Sequence, residues 1–283
     1  MLIRCGYEIA LTCENPTPLV CLLSIHEDFA AAVRGGEAVH TRPNVPTSTY
    51  RDLFGNRCRR LVAPPGAFSI WGDCVVEHDG RPDIQHLSGR EVPVAALPDD
   101  CLSYLMGSRY CETDRLSQIA WDLFGALAPG WARVQAICNF VHAHIRFDYM
   151  KASSTRTAFE VFHGRTGVCR DFAHLAVAFC RCLNIPARYV NGYLGDIGVP
   201  VVEPMDFSAW IEVYLDGAWY AFDPRNNVPR IGRIPVARGR DAADVPLVNS
   251  FGPHVLNAFR VWCDEVRSPV ANAARSRSGH SRQ

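Results

Sequence analysis

One helix bounded by backbone-restricting residues constrains this chain more than any other feature. Phe172, Leu175, Ala176, Phe179 and Leu183 recur at three- and four-residue intervals, so they form an apolar stripe of a helix that starts near Cys169, after Gly167, and ends before Pro186. Strands are expected over residues 187–193, 209–215 and 219–222, the last two joined by Asp216-Gly217, a dipeptide suited to a two-residue hairpin turn. The stripe therefore has a sheet to pack against.

Upstream, the elements change type. Residues 2–11 and 19–25 are strand-length runs, and a further series follows, punctuated by Pro43, Pro46, Gly55, Pro64, Pro65, Gly66 and Gly80. Short strands with turn signals at such spacing predict an antiparallel β-sandwich-like domain over residues 1–100. The Pro-rich, acidic stretch at 92–100 reads as the connection to a second domain over residues 101–267. There Leu116, Ile119, Ala120, Leu123 and Leu127 predict one helix, and after Pro129-Gly130 the run Trp131, Val134, Ile137, Cys138, Val141 and Ile145 predicts another. Residues 268–283 carry no apolar periodicity and are expected to be a disordered tail.

Composition excludes several function classes. The 29 Lys and Arg balance 29 Asp and Glu, which leaves no broad positive field for a phosphate backbone, so nucleic acid is not an expected partner. With 48% hydrophobic and 20% charged residues the chain has material for proper cores. No stretch approaches ~20 apolar residues, so no membrane partner is expected, and Arg4, Glu8 and Glu14 interrupt any signal-peptide core, which favours a cytoplasmic location. Twelve cysteines there read as small buried hydrophobes plus one working thiol, not as disulfides. There is no Cys-x-x-Cys, and Cys180 and Cys182 lie on different faces of the helix, so neither a metal nor another cofactor is expected. Nothing in the sequence sets an oligomeric state.

The segment Thr166-Gly167-Val168-Cys169-Arg170-Asp171-Phe172 places a cysteine in the first turn of the helix, where free backbone N–H groups and the helix dipole favour the thiolate. The same amides can form part of an oxyanion hole. If Asp216-Gly217 is the turn, Leu215 pairs with Ala218, Trp210 stands opposite Asp223, and Ser208 stands opposite Arg225. Ser208 and Asp223 then become diagonal neighbours roughly 7–8 Å apart at Cα, a span that a ring side chain bridges and a serine does not.

Four blocks in order carry a resemblance. Thr166-Gly-Val-Cys169-Arg-Asp-Phe-Ala-His-Leu, Asn184-Ile-Pro-Ala-Arg188-Tyr-Val-Asn-Gly192-Tyr193, Ser208-Ala-Trp210-Ile-Glu-Val-Tyr-Leu and Trp219-Tyr-Ala-Phe-Asp223-Pro resemble the core of the transglutaminase-like superfamily, over about residues 130 to 230. The resemblance implies a papain-like α+β core with a Cys-His-Asp triad, bacterial members being described as cysteine proteases or transglutaminases, often with an extra β-rich N-terminal domain. By position it implies Cys169 as nucleophile and Asp223 as the residue orienting the base. It also implies a peptide or amide substrate.

The departure sits at the centre of the triad. Where the family has His-Ala-Trp this chain has Ser208-Ala209-Trp210, and a serine hydroxyl cannot accept and return a proton at neutral pH as an imidazole does. Either another group has been recruited or the site no longer performs the family's reaction. His254 and His163 are the candidate substitute bases, with Asp206, two residues before Ser208, as a poorer one. His174 lies about 140° round the helix from Cys169 and is expected on a polar face with Arg170 and Arg181; His142 and His144 read as end-of-helix side chains. Trp210 and Arg225 are expected at the pocket, Arg225 replacing the family's usual threonine and able to hold an anionic group.

Three functions remain open. The first is an enzyme forming a thioester on Cys169, by amide hydrolysis or acyl transfer. The second is a catalytically impaired binding or scaffolding protein. The third, weaker, is redox sensing by Cys169 with Cys180 or Cys182.

Overall fold

The computed structural model describes residues 1–202 and 204–266. The expected tail at 268–283 lies outside the described residues.

The chain opens with β1 (Leu2–Cys13), β2 (Thr17–Cys21), β3 (Val33–Arg42), β4 (Thr47–Arg51), β5 (Arg57–Ala63) and β6 (Gly66–Glu77). It continues through α1 (Asp99–Leu102), α2 (Thr113–Phe124), α3 (Trp131–His144), β7 (Arg146–Phe147), α4 (Ala158–Gly164), β8 (Thr166–Gly167) and α5 (Cys169–Cys182). The remaining elements are β9 (Ala187–Leu194), β10 (Ser208–Leu215), β11 (Ala218–Phe222), β12 (Arg233–Gly239), β13 (Val248–Ser250) and β14 (His254–Glu265).

The first half forms two four-stranded antiparallel sheets, ordered β14-β1-β6-β3 and β13-β2-β5-β4. Alternation along β1 turns Ile3, Cys5, Tyr7, Ile9 and Leu11 inward, into one core with Leu19 and Cys21 of β2 and Leu61 of β5. The expected boundary needs correction at its far end. Residues 248–265, assigned by sequence order to the second domain, return as β13 and β14 to extend the two sheets of the first, with Cys5 of β1 paired to Cys263 of β14 on one side and Cys74 of β6 on the other. Strand pairing is made by backbone groups between distant segments, so local sequence carried no mark of that return.

The second domain is a four-stranded antiparallel sheet, β11-β10-β9-β12, with α5 packed on β10 and β9. The hairpin has the expected register, Leu215 with Ala218 through to Ile211 with Phe222, and positive φ at Asp216 (46°) and Gly217 (86°) gives the twist a two-residue turn requires. Helices α2, α3 and α4 cover the remaining flanks of α5, which is why every residue from Asp171 to Cys182 is buried. That overturns the expected polar face. His174 is fully buried between the rings of Tyr110 (5.1 Å) and Tyr189 (5.0 Å), and its Nε2 accepts the Ala242 N–H.

Gly192 of β9, opposite Ser208, lets the layers close. A Cβ there would stand 2.3 Å from the Ile234 carbonyl oxygen and 2.7 Å from the Trp210 ring. Gly192→Ala is therefore expected to cost about 1–3 kcal/mol of stability by overpacking. A denaturation midpoint equal to that of the parent would count against so close an approach.

The two halves are joined through charge. Asp83, on the connection after β6, pairs with Arg233 of β12 (3.0 Å), and Arg238 of β12 reaches both Glu212 of β10 (2.9 Å) and Asp28. No helix among the described residues is long and apolar enough to cross a membrane.

Candidate functional site

Cys169 is the first residue of α5, and of the twelve cysteines it alone is half-buried while the other eleven are buried. The turn beneath it is locked by Asp171, whose Oδ2 accepts the Val168 N–H at 2.9 Å, a reach back across the first turn that fixes the helix start. Burial lifts the Cys169 thiol to about 11, against the lowering pull of the Arg225 guanidinium and of the Ala209 and Arg170 amides that face the sulfur. Helix position alone predicted the opposite direction; removal from water outweighs the dipole here.

The residue expected to orient a base is already fully engaged. Asp223 follows β11 and is buried, and its Oδ1 accepts the amides of Arg225 (3.0 Å) and Asn226 (2.9 Å), while Oδ2 accepts Asn226 Nδ2 (2.8 Å) and Arg233 Nη2 (2.9 Å). Two carboxylate oxygens offer about four lone-pair sites, and four donors fill them. Burial would raise this carboxyl, but the Arg233 charge and the Asn226 donors outweigh it and hold Asp223 below the usual carboxylate range. Arg233 thus stands as the cationic partner of the aspartate.

Ser208, at the start of β10, is 6% exposed, and its Oγ has no hydrogen-bond partner among the described residues. It lines a cavity of about 420 Å³ with Phe147, Tyr149, Asp206, Arg225 and Asn226. The next residue, Ala209, supplies the amide that faces the Cys169 sulfur, so the thiol, the serine and the cavity are neighbours. Arg225 is anchored three ways: its amide to Asp223, its carbonyl to His142 Nδ1 (2.8 Å), and its guanidinium 4.1 Å over the Phe147 ring.

The substitute bases fare differently. His163, exposed in the last turn of α4, packs edge-on against Phe159 and Phe162. His254, exposed at the start of β14, bonds Ser250 Oγ at 2.8 Å in the sheets of the first half. None of the nine histidines among the described residues makes a hydrogen bond to the Cys169 sulfur. Asp206 does reach the site: it lines the cavity, burial raises its pKa, and its field is felt at Cys169. Trp210 does not line this cavity. It is fully buried, 5.0 Å from the Arg233 guanidinium, and borders a separate cavity of about 700 Å³ between the two halves. Sequence reasoning missed Arg233 and His142; the first is ten residues past Asp223, on a strand whose pairing had not been foreseen.

Residues 118–224 match the family model of the Transglutaminase-like superfamily. An uncharacterized protein of Mycobacterium tuberculosis is 38% identical over 225 residues, 70% of each chain. The chain belongs to the transglutaminase-like superfamily. A second uncharacterized relative, from Mycobacterium leprae, is 29% identical over 217 residues, 73% of this chain and 76% of that one. The crystal structure of a protein from Cytophaga hutchinsonii described as a putative cysteine protease is 29% identical, with a TM-score of 0.83 over 95% of this chain and 91% of that one. That likeness extends through the β-rich half, so this transglutaminase-like protein shares with the Cytophaga structure an architecture beyond the core.

Proposed function

We propose that this transglutaminase-like protein keeps the cavity beside Cys169 as a binding site for a peptide or amide and has lost the family's proton relay, so that turnover is slight. The observation that carries this reading is the Asp223 carboxylate: both oxygens are filled by Arg233, Asn226 and two amides, while the Ser208 hydroxyl beside the cavity has no partner. An enzyme of this family needs a group that takes the thiol proton and returns it to the leaving amine. No imidazole among the described residues holds that place.

The thiol supplies the test. With a pKa near 11, Cys169 is expected to react with iodoacetamide at pH 7.5 roughly two orders of magnitude more slowly than a free cysteine of pKa ~8.5, the rate climbing until pH approaches 11. Peptide mapping by mass spectrometry reads Cys169 separately from the buried thiols. An apparent pKa below 8 would sink the impaired-catalyst reading and restore an activated nucleophile.

A second reading has one observation in its favour. Asp206 lines the same cavity, and its burial-raised pKa moves it towards the range of a base. A cysteine amidase working this way would lose its activity in both Cys169→Ala and Asp206→Asn.

A further inference from the structure

Among the described residues, four charged side chains line the cavity at Ser208, namely Asp196, Asp206, Arg225 and Arg230, and Arg225 is the cation there that makes no ion pair, though the field of Asp206 reaches it. Asp196 and Arg230 cancel, paired at 3.0 Å, with the other Asp196 oxygen accepting the Val202 N–H at 2.7 Å. Asp206 turns an oxygen onto the Phe207 N–H at 2.6 Å. Arg225 makes no ion pair and donates no side-chain hydrogen bond among the described residues, yet its backbone is tied on both sides and its guanidinium is laid on Phe147. A pre-positioned guanidinium presents its donors in a fork that fits a planar carboxylate.

Ser208 Oγ is the second, independent observation. A hydroxyl more than nine-tenths buried with no partner among the described residues is costly to leave unmade, and Ser208 lines the same cavity. Apolar surface from Phe147, Leu194, Met205 and Phe207 completes the wall.

Resting on the binding-site reading above, we propose that the cavity takes a carboxylate-bearing ligand, such as a peptide with a free C-terminus, with the carboxylate on Arg225 and a hydrogen bond from Ser208 Oγ. The position left by the family's histidine would then serve ligand selection. Asp206 opposes the anion and sets an upper limit on its affinity.

Two alkylating agents of nearly equal size test this on the full chain. Iodoacetate carries a carboxylate and iodoacetamide does not; both lose iodide to the Cys169 sulfur, so the ratio of their rates cancels any change in thiol acidity. The iodoacetate-to-iodoacetamide ratio at Cys169 is expected to exceed that of the same residue in urea-unfolded chain by about tenfold, the low end for a hydrogen bond to a charged group. Arg225→Gln should return it to the unfolded value, and Asp206→Asn should raise it. N-acetyl-Ala-Ala as the free acid should protect Cys169 from iodoacetamide at concentrations where its C-terminal amide does not. A native ratio at or below the unfolded one, a ratio indifferent to Arg225→Gln, or equal protection by acid and amide would each overturn the carboxylate assignment. Brisk amide turnover by the parent protein would instead overturn the impaired-catalyst reading and leave this assignment standing.

Discussion

Ser208→His is expected to create amide turnover about 10²-fold above the parent, at the low end of the 10²- to 10⁴-fold that a positioned acid–base contributes. Ser208 begins β10, beside the amide that faces the Cys169 sulfur, and Asp223 directly follows β11, the strand paired with β10. An imidazole there would take the thiol proton as sulfur attacks the amide carbon. It would then return that proton to the amine as the C–N bond breaks, leaving a thioester for water or a second amine. The gain is expected at the low end because Arg233 already holds Asp223 Oδ2 at 2.9 Å, so the new ring must share its orienting carboxylate. Amine release from a panel of peptide amides measures the rate, and the alkylation profile of Cys169 should move down from about 11 towards the range of imidazole-paired thiols. A variant that melts like the parent, yet shows neither turnover nor a more acidic thiol, would mean that position 208 is not aligned with the sulfur.

The difference between Ser208 and Arg233 shows which parts of this protein a sequence discloses. The stripe from Phe172 to Leu183, the Asp216-Gly217 turn and the pairing it dictates as far as Ile211 with Phe222 are local, and each appears in the fold where periodicity and turn chemistry placed it. The expected pairs Trp210–Asp223 and Ser208–Arg225 do not form, because the chain turns at Asp223, whose carbonyl accepts the Asn227 N–H. The vacancy at 208 was legible for the same reason, being one residue inside an otherwise intact block. Arg233 was not legible, because its meaning comes from β12 lying beside β9 and bringing a guanidinium to an aspartate held on another strand. His174 misled for a related reason. One apolar stripe predicts a helix with a wet back, but a sheet and three helices close around α5, so both His174 and Arg181 are buried. Arg181 donates to backbone carbonyls, while His174 accepts one amide at Nε2 and its Nδ1 has no partner among the described residues. The direction of the Cys169 shift also depended on how deeply the tertiary structure buries that helix end, which a helix-dipole argument does not include.

Arg233→Ala carries the largest expected cost to stability. The guanidinium pairs with two carboxylates, Asp83 at 3.0 Å and Asp223 at 2.9 Å, and its removal strands Asp223 as a buried charge with only neutral donors around it. Breaking a buried pair from one side costs about 3–5 kcal/mol, and at about 2–4 °C per kcal/mol for a chain of this size the melting temperature should fall by roughly 10 °C. The pH dependence separates this mechanism from lost packing over Trp210. In the parent, Asp223 is held below the usual carboxylate range, so its contribution is fully present above its unfolded pKa of ~3.9 and is lost as pH falls through the lower folded value. In Arg233→Ala the dominant lowering influence is gone and desolvation remains, so the carboxyl is pushed up and its ionised form opposes folding at neutral pH. The gap between parent and variant should therefore be widest near pH 7 and narrow below about pH 4, as both states take up the proton. Asp223→Asn added to Arg233→Ala should recover part of the loss at neutral pH, because it removes the stranded charge while leaving the space beside Trp210 as empty as before. A gap that stays constant with pH, or no recovery in the double variant, would assign the cost to packing and remove Arg233 from its place as the aspartate's partner.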